Sequence, residues 1–132
     1  MRFDRPLGVG ADGGHGPIRY SVEEYIPGRR VKFRFSGPRG FNGRHWFEVV
    51  PEGEAATVLR HAIAMRAEGP ALLSWPLAIR HLHDALIEDA LTVAQASLGI
   101  EPDIVPWSPW VRILRWLLSA GKARPQKLFR SS

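Results

Sequence analysis

Three histidines stand on faces that are otherwise apolar: His45, His61 and His83. An imidazole can relay a proton, ligate a metal or orient the polar end of a bound molecule. His45 and His61 lie in two alternating stretches joined through Pro51-Glu52-Gly53-Glu54. A tight connection there places them opposite or diagonal to each other on one sheet face. Three imidazoles are enough for a metal or for an acid/base pair. No inward carboxylate at ligand spacing accompanies them unless Asp84 or Glu24 turns in, so no metal and no cofactor is expected. His81 and His83 are two apart on a helix and point about 200° away from each other, so they cannot chelate together. The histidines are therefore read as ligand-orienting or neighbour-bonding groups. His45 and His61 are the catalytic candidates, with Tyr20 as a further acid/base group.

The other residues that could do chemistry have plainer explanations. Asp84, Glu88 and Asp89 have i,i+4 spacing, and Arg80 can pair with Asp84 one turn on. Carboxylates so placed do acid/base work only inside a cleft, and here they fall on a helix's outer face. The glycine-rich string GVGADGGHG at 8–16 is followed by a β-type stretch. A phosphate loop needs a helix directly after it, so this segment reads as a flexible loop. Arg30, Lys32 and Arg34 form a basic stripe on one side of a strand, which is the usual solvated outer face of a sheet.

The elements that must hold these residues come in a simple order. A short strand near Arg2–Leu7 and the glycine loop precede Ile18–Ile26, whose inner set reads Ile18, Tyr20, Val22, Glu24 and Ile26. Pro27-Gly28 fits the centre of a type II turn. Arg30–Phe35 then turns Val31, Phe33 and Phe35 to one face. The next two strands are Phe41–Val50 and Ala55–Glu68. Their inner sets are Phe41, His45, Phe47, Val49 and Leu59, His61, Ile63, Met65. The outer residues include Arg44, Trp46, Glu48, Arg60 and Arg66.

From Leu72 to Leu98 runs the one long helical segment, with a kink or start near Trp75–Pro76. Its apolar stripe is Leu77, Ile79, Leu82, Leu86, Ala90, Val93 or Ala94, and Ser97 or Leu98. His83 lies at the edge of that stripe, and Gly99 is the stop. Pro102, Pro106 and Pro109 make a linker. Ser108-Pro109 caps and opens a second, short helix over Trp110–Ala120. Residues 121–132 look disordered.

Composition narrows the class. At 132 residues, 45% hydrophobic and 23% charged, the chain has the make-up of one ordinary globular domain. No apolar run reaches the roughly 20 residues of a membrane span, and no signal-peptide core opens the chain. Zero cysteines remove disulfide and thiolate chemistry and fit a cytoplasmic protein. The net charge of +5 is unevenly spread: residues 1–103 carry 12 basic and all 13 acidic residues, residues 104–132 carry 6 basic and none acidic. A near-neutral body with a basic tail argues against nucleic acid, and no strand face combines basic residues with exposed aromatic platforms. In the tail, Trp110, Arg112, Arg115 and Trp116 suit a helix lying in a membrane interface. Docking of that helix on the domain or on a second copy is nonetheless the first expectation, with membrane contact second.

Four strings, GGHGPIRYSVEEYIPGRRVKFRF (13–35), GFNGRHWFEVV (40–50), TVLRHAIAMRAEG (57–69) and WPLAIRHLHDALIEDAL (75–91), resemble bacterial members of the SRPBCC superfamily. These START- and polyketide-cyclase-like proteins have a helix-grip fold: a curved antiparallel sheet around a long C-terminal helix, with an apolar cavity between. The resemblance covers residues 13–99 and implies an α+β partial helix-grip domain over residues 1–100, while composition makes 101–132 a Pro/Trp-rich basic tail with a short amphipathic helix. It departs from the family at the start, where the usual strand and two short helices before the sheet have no counterpart. The implied cavity would be lined by Tyr20, Phe33, Phe35, His45, Phe47, His61, Met65 and His83.

The expected function is binding of a hydrophobic small molecule or lipid between sheet and helix. A cyclase/dehydratase-type enzyme using the histidines ranks second, because the chain offers no nucleophile, cofactor motif or oriented carboxylate. A structural or regulatory subunit acting through its tail, as a homo-oligomer or at a membrane surface, is the third expectation.

Overall fold

The computed structural model describes residues 2–15 and 17–119. It is an α+β protein whose chain forms two compact units, one ending at Leu73 and the other beginning at Ser74.

The first unit is a single six-stranded antiparallel sheet in sequence order, from β1 (Arg2–Phe3) and β2 (Asp12–His15) to β3 (Ile18–Ile26), β4 (Arg30–Gly37), β5 (Phe41–Glu52) and β6 (Ala56–Ala67). Local alternation and turn chemistry explain its four long strands. Pro27-Gly28 makes the expected turn, with Gly28 at φ 69° and the Arg29 amide donating to the Ile26 carbonyl at 3.0 Å. Gly53, also at φ 69°, turns β5 into β6, which pair without interruption from Phe41↔Ala67 to Glu52↔Ala56.

Two features depart from the sequence expectation. The glycine-rich stretch is not simply a loop, because Asp12–His15 forms a strand between β1 and β3. A methyl group on Gly13 would sit 2.6 Å from a Phe3 ring carbon, so its hydrogen side chain is what lets that ring lie across the strand. Phe3 thereby reaches Phe33 at 6.0 Å and Tyr20 at 6.1 Å between ring centroids. The second departure is a register shift in β3. Val22 pairs with Phe33, but Glu24 pairs with Lys32 and Tyr25 with Val31. The extra residue reverses the alternation beyond Val22. Glu24 and Ile26 consequently share the face of Arg30 and Lys32 rather than that of Tyr20.

The inner face of this unit contains its core: Ile18, Tyr20, Val22, Phe33, Phe35, Phe41 and His45 are all buried. Burial fades toward the β5–β6 turn, where Val49 and Leu59, expected to face inward, are exposed at 38% and 39%.

The second unit is helical. A helical run starts as α1 (Ala71–Ser74), passes through a π-helical turn (Trp75–Ile79) and continues as α2 (Arg80–Ser97). Pro76 lies in the wide turn, where its missing amide donor is accommodated without ending the helix. Gly99, at φ 72°, closes α2, with the amides of Gly99 and Ile100 donating to the carbonyls of Ala96 and Gln95. The fully buried positions of α2 are His83, Ile87 and Thr92. The buried face is therefore rotated from the expected stripe, and Ala90 and Val93 are exposed. Residues beyond α2 run back along it. The Asp103 amide donates to Gln95 Oε1 at 3.2 Å, and Trp107 Nε1 donates to both Asp89 carboxylate oxygens at 3.1 and 3.2 Å.

Helix α3 (Pro109–Leu118) starts as expected, with the Val111 amide donating to the Ser108 hydroxyl and Pro109 in the first turn. Val111 and Leu114 are its buried residues. The expected disorder of residues 121–132 lies outside the described residues. Among the described residues, no helix is long and apolar enough to cross a membrane.

Candidate functional site

The inner face of β3, β4, β5 and β6 brings together most of the residues singled out by sequence. His45 occupies the middle of β5, opposite Phe33 on β4 and Ile63 on β6. His61 on β6 is opposite Phe47, one diagonal step from His45. The two rings meet: His45 Nδ1 and His61 Nε2 are 3.4 Å apart, with the rings inclined at 54°. The uninterrupted β5–β6 register sets this approach, since same-face diagonal neighbours lie within reach of long side chains.

Aromatic rings surround His45. Phe33 and Phe35 stack on it at 4.8 and 5.0 Å, and Tyr20 meets it edge-on at 5.0 Å. The result is a residue only 1% exposed whose ring orientation is fixed on several sides. Phe47 packs against the other histidine, 4.7 Å from the His61 ring. Met65, paired with Gly43, continues the same face beside them. His61, Phe47 and Met65 are half-buried, so the site grades from a dry centre at His45 to an open side at His61.

Tyr20 is fully buried, and burial pushes its hydroxyl up to about 12, with the nearby Arg19 charge opposing weakly. It is a neutral hydroxyl at neutral pH, able to donate or accept a hydrogen bond. Its oxygen is 3.3 Å from His15 Nδ1. His15 and Phe3 are the site residues missed by sequence reasoning. His15 stands between two glycines and Phe3 pairs across the strands with Gly13, and the only available signal was that His15 falls two positions after Gly13 in a stretch able to pair with Ile18–Ser21.

His83 belongs to the helical unit. It is 6% exposed, beside Trp75 at 6.1 Å, with Nδ1 3.4 Å from Asp84 Oδ1. Burial pulls its imidazole below the ordinary value, against the opposing pull of Asp84. Asp84 itself is exposed and pairs with Arg80 at 3.7 Å. Asp89, expected to face outward, is instead engaged by Trp107.

The basic outer stripe of the sheet is neutralised locally. Glu23 accepts from Arg34 and, at 2.5 Å, from Arg44, while Glu24 accepts from Arg30 at 2.8 Å. Plain alternation puts Glu23 on that side, and the β3 shift brings Glu24 to it as well. The Arg44 and Arg34 hydrogen bonds hold the Glu23 carboxyl down at about 2. A groove of about 630 Å³ lies at the β3–β4 turn end, lined by Ile26, Arg29, Arg30, Glu48 and Thr57 among others. It holds none of the histidines and is not where the chemistry-bearing residues converge.

No protein-family model matches this chain, and comparison with curated proteins and with solved structures likewise finds no match.

Proposed function

We propose that the sheet face around His45 and His61 binds a hydrophobic small molecule or lipid, in the manner of a helix-grip protein. The observation that carries the reading is the composition of one continuous face. Phe33, Phe35, Phe47 and Met65 supply apolar area, while Tyr20, His45 and His61 supply a few convergent polar groups. Binding sites for apolar ligands have this make-up, with polar groups that fix orientation. The gradient from buried His45 to half-buried His61 gives the polar groups an approach from solvent. The four strings that resemble SRPBCC proteins cover the strands that carry this face and support the same reading.

Native mass spectrometry of the purified chain, with organic extraction and titration of an apolar fluorescent probe, tests it. A co-purifying apolar molecule, or saturable probe binding weakened in Phe47→Ala, is expected. A chain that carries nothing and binds no probe would end the proposal.

The contact between His45 and His61 favours a second reading, a cyclase/dehydratase-type enzyme. Two imidazoles in contact, with the Tyr20 ring edge-on to His45, can pass a proton within a largely dry site. A His45→Ala, His61→Ala double variant that retains full turnover of a substrate would remove this reading.

A further inference from the structure

The spacing of the two ring nitrogens also fits a shared metal ion. At 3.4 Å, His45 Nδ1 and His61 Nε2 stand farther apart than the partners of a well-formed hydrogen bond, which for nitrogen donors lie at about 2.7–3.2 Å. Two imidazole nitrogens bound tetrahedrally to zinc at about 2.0–2.1 Å are separated by about 3.3–3.4 Å. We propose that His45 and His61 together hold a divalent transition-metal ion on the inner face of the sheet.

Three further features support this site. The ligand atoms come from adjacent strands of an uninterrupted ladder, so the backbone fixes their spacing. The His45 ring is held by Phe33, Phe35 and Tyr20, which limits the reorganisation needed when an ion arrives. Imidazole donors in apolar surroundings select zinc, cobalt, nickel or copper over magnesium and calcium, which want oxygen ligands. Two protein ligands leave open positions for water or for the polar end of a bound molecule.

The proposal rests on the histidine pair and not on the apolar ligand, so either can fail alone. The test uses the untagged full-length chain, stripped with a chelator and titrated with Zn²⁺ and Co²⁺ by calorimetry, with no lipid present. One ion per chain is expected. His45→Ala and His61→Ala should each weaken binding at least tenfold, since loss of mere outer-shell partners already costs about 10–100-fold. His81→Ala, at an exposed position, should bind as the unmodified chain does. Absence of saturable binding, or wild-type affinity in both single variants, overturns the site. Should the variants fail to fold, anomalous diffraction from cobalt-soaked crystals of the unmodified chain decides. A peak bonded to both His45 Nδ1 and His61 Nε2 supports the site, and a peak elsewhere or none overturns it.

Discussion

At the scale of single residues, the molecule separates groups that carry charge from groups kept neutral. Glu23 lies between Arg34 and Arg44 on the outer face, and its carboxyl is held near 2. A carboxyl with a depressed folded-state value binds protons more weakly when folded. It therefore stabilises the fold above the unfolded value, and that contribution fades as pH falls toward about 2. Glu23→Gln should lower stability at neutral pH and flatten its dependence between about pH 4.5 and 2. Urea melts at a series of pH values check this; parallel curves would contradict it. Tyr20 shows the opposite direction. Burial raises its hydroxyl to about 12, so the fold should lose stability as pH rises from about 10 through 12, when the unfolded chain ionises first. Ultraviolet titration should then show one of the two tyrosines ionising late, and Tyr20→Phe should remove that step. The meeting of His45 and His61 was legible in the sequence because clean alternation and a short turn fix a diagonal pair. The surroundings of Glu24 were not. One extra residue in β3 leaves the composition unchanged yet reverses every side chain after it, and only the Lys32 and Val31 pairings reveal it.

At the scale of elements, glycine separates what the sequence showed from what it concealed. Asp12–His15 carries no apolar alternation, because in it glycines stand where side chains would normally announce a strand. The physical signal lies elsewhere, in the Phe3 ring that Gly13 lets pass. Gly13→Ala would bring a methyl group to 2.6 Å from that ring and 2.8 Å from the Arg2 carbonyl oxygen. Overpacking of this kind typically costs about 1–3 kcal/mol, which denaturant unfolding should detect. A loss confined to faster hydrogen exchange in β1 and β2 would show that the edge detaches alone. The helices were read more accurately at their ends than along their faces. Ser108, Pro109 and Gly99 act through local backbone chemistry and could be read locally. The buried stripe of α2 depends on what packs against it, including the segment at 103–107, and so shifted to His83, Ile87 and Thr92. Ser108→Ala removes the acceptor for the Val111 amide and should destabilise α3 by about 1 kcal/mol, seen as earlier exchange of its first-turn amides.

At the scale of the whole molecule, charge and exposed apolar surface coincide at one end of the chain. Every acidic residue lies before position 104, and all six tail charges are basic. Helix α3 engages its own unit through Trp110 Nε1, which donates to the Leu77 carbonyl at 2.8 Å, and through Arg115, stacked 3.9 Å over the Trp107 ring. Docking of the tail on α2 does not consume the helix. Trp116 remains 57% exposed and Leu118 66%, with Ile113 and Leu117 beside them. Aromatic and aliphatic residues together with Arg112 and Arg115 are the composition that suits an anionic lipid interface. Each basic residue close to such a surface contributes about 1 kcal/mol, screened by salt. We propose that this end of the chain contacts anionic membranes. The full chain should float with phosphatidylserine-containing vesicles at low salt and release as salt rises. Trp116→Glu combined with Leu117→Glu should abolish flotation while leaving the circular dichroism spectrum unchanged, because both side chains are exposed and neither is a buried contact of α3. Deleting residues 104–132 should give the same loss. If the deletion instead lowers the mass measured by light scattering while vesicle binding was never present, the exposed face belongs to assembly between copies, and the membrane reading fails.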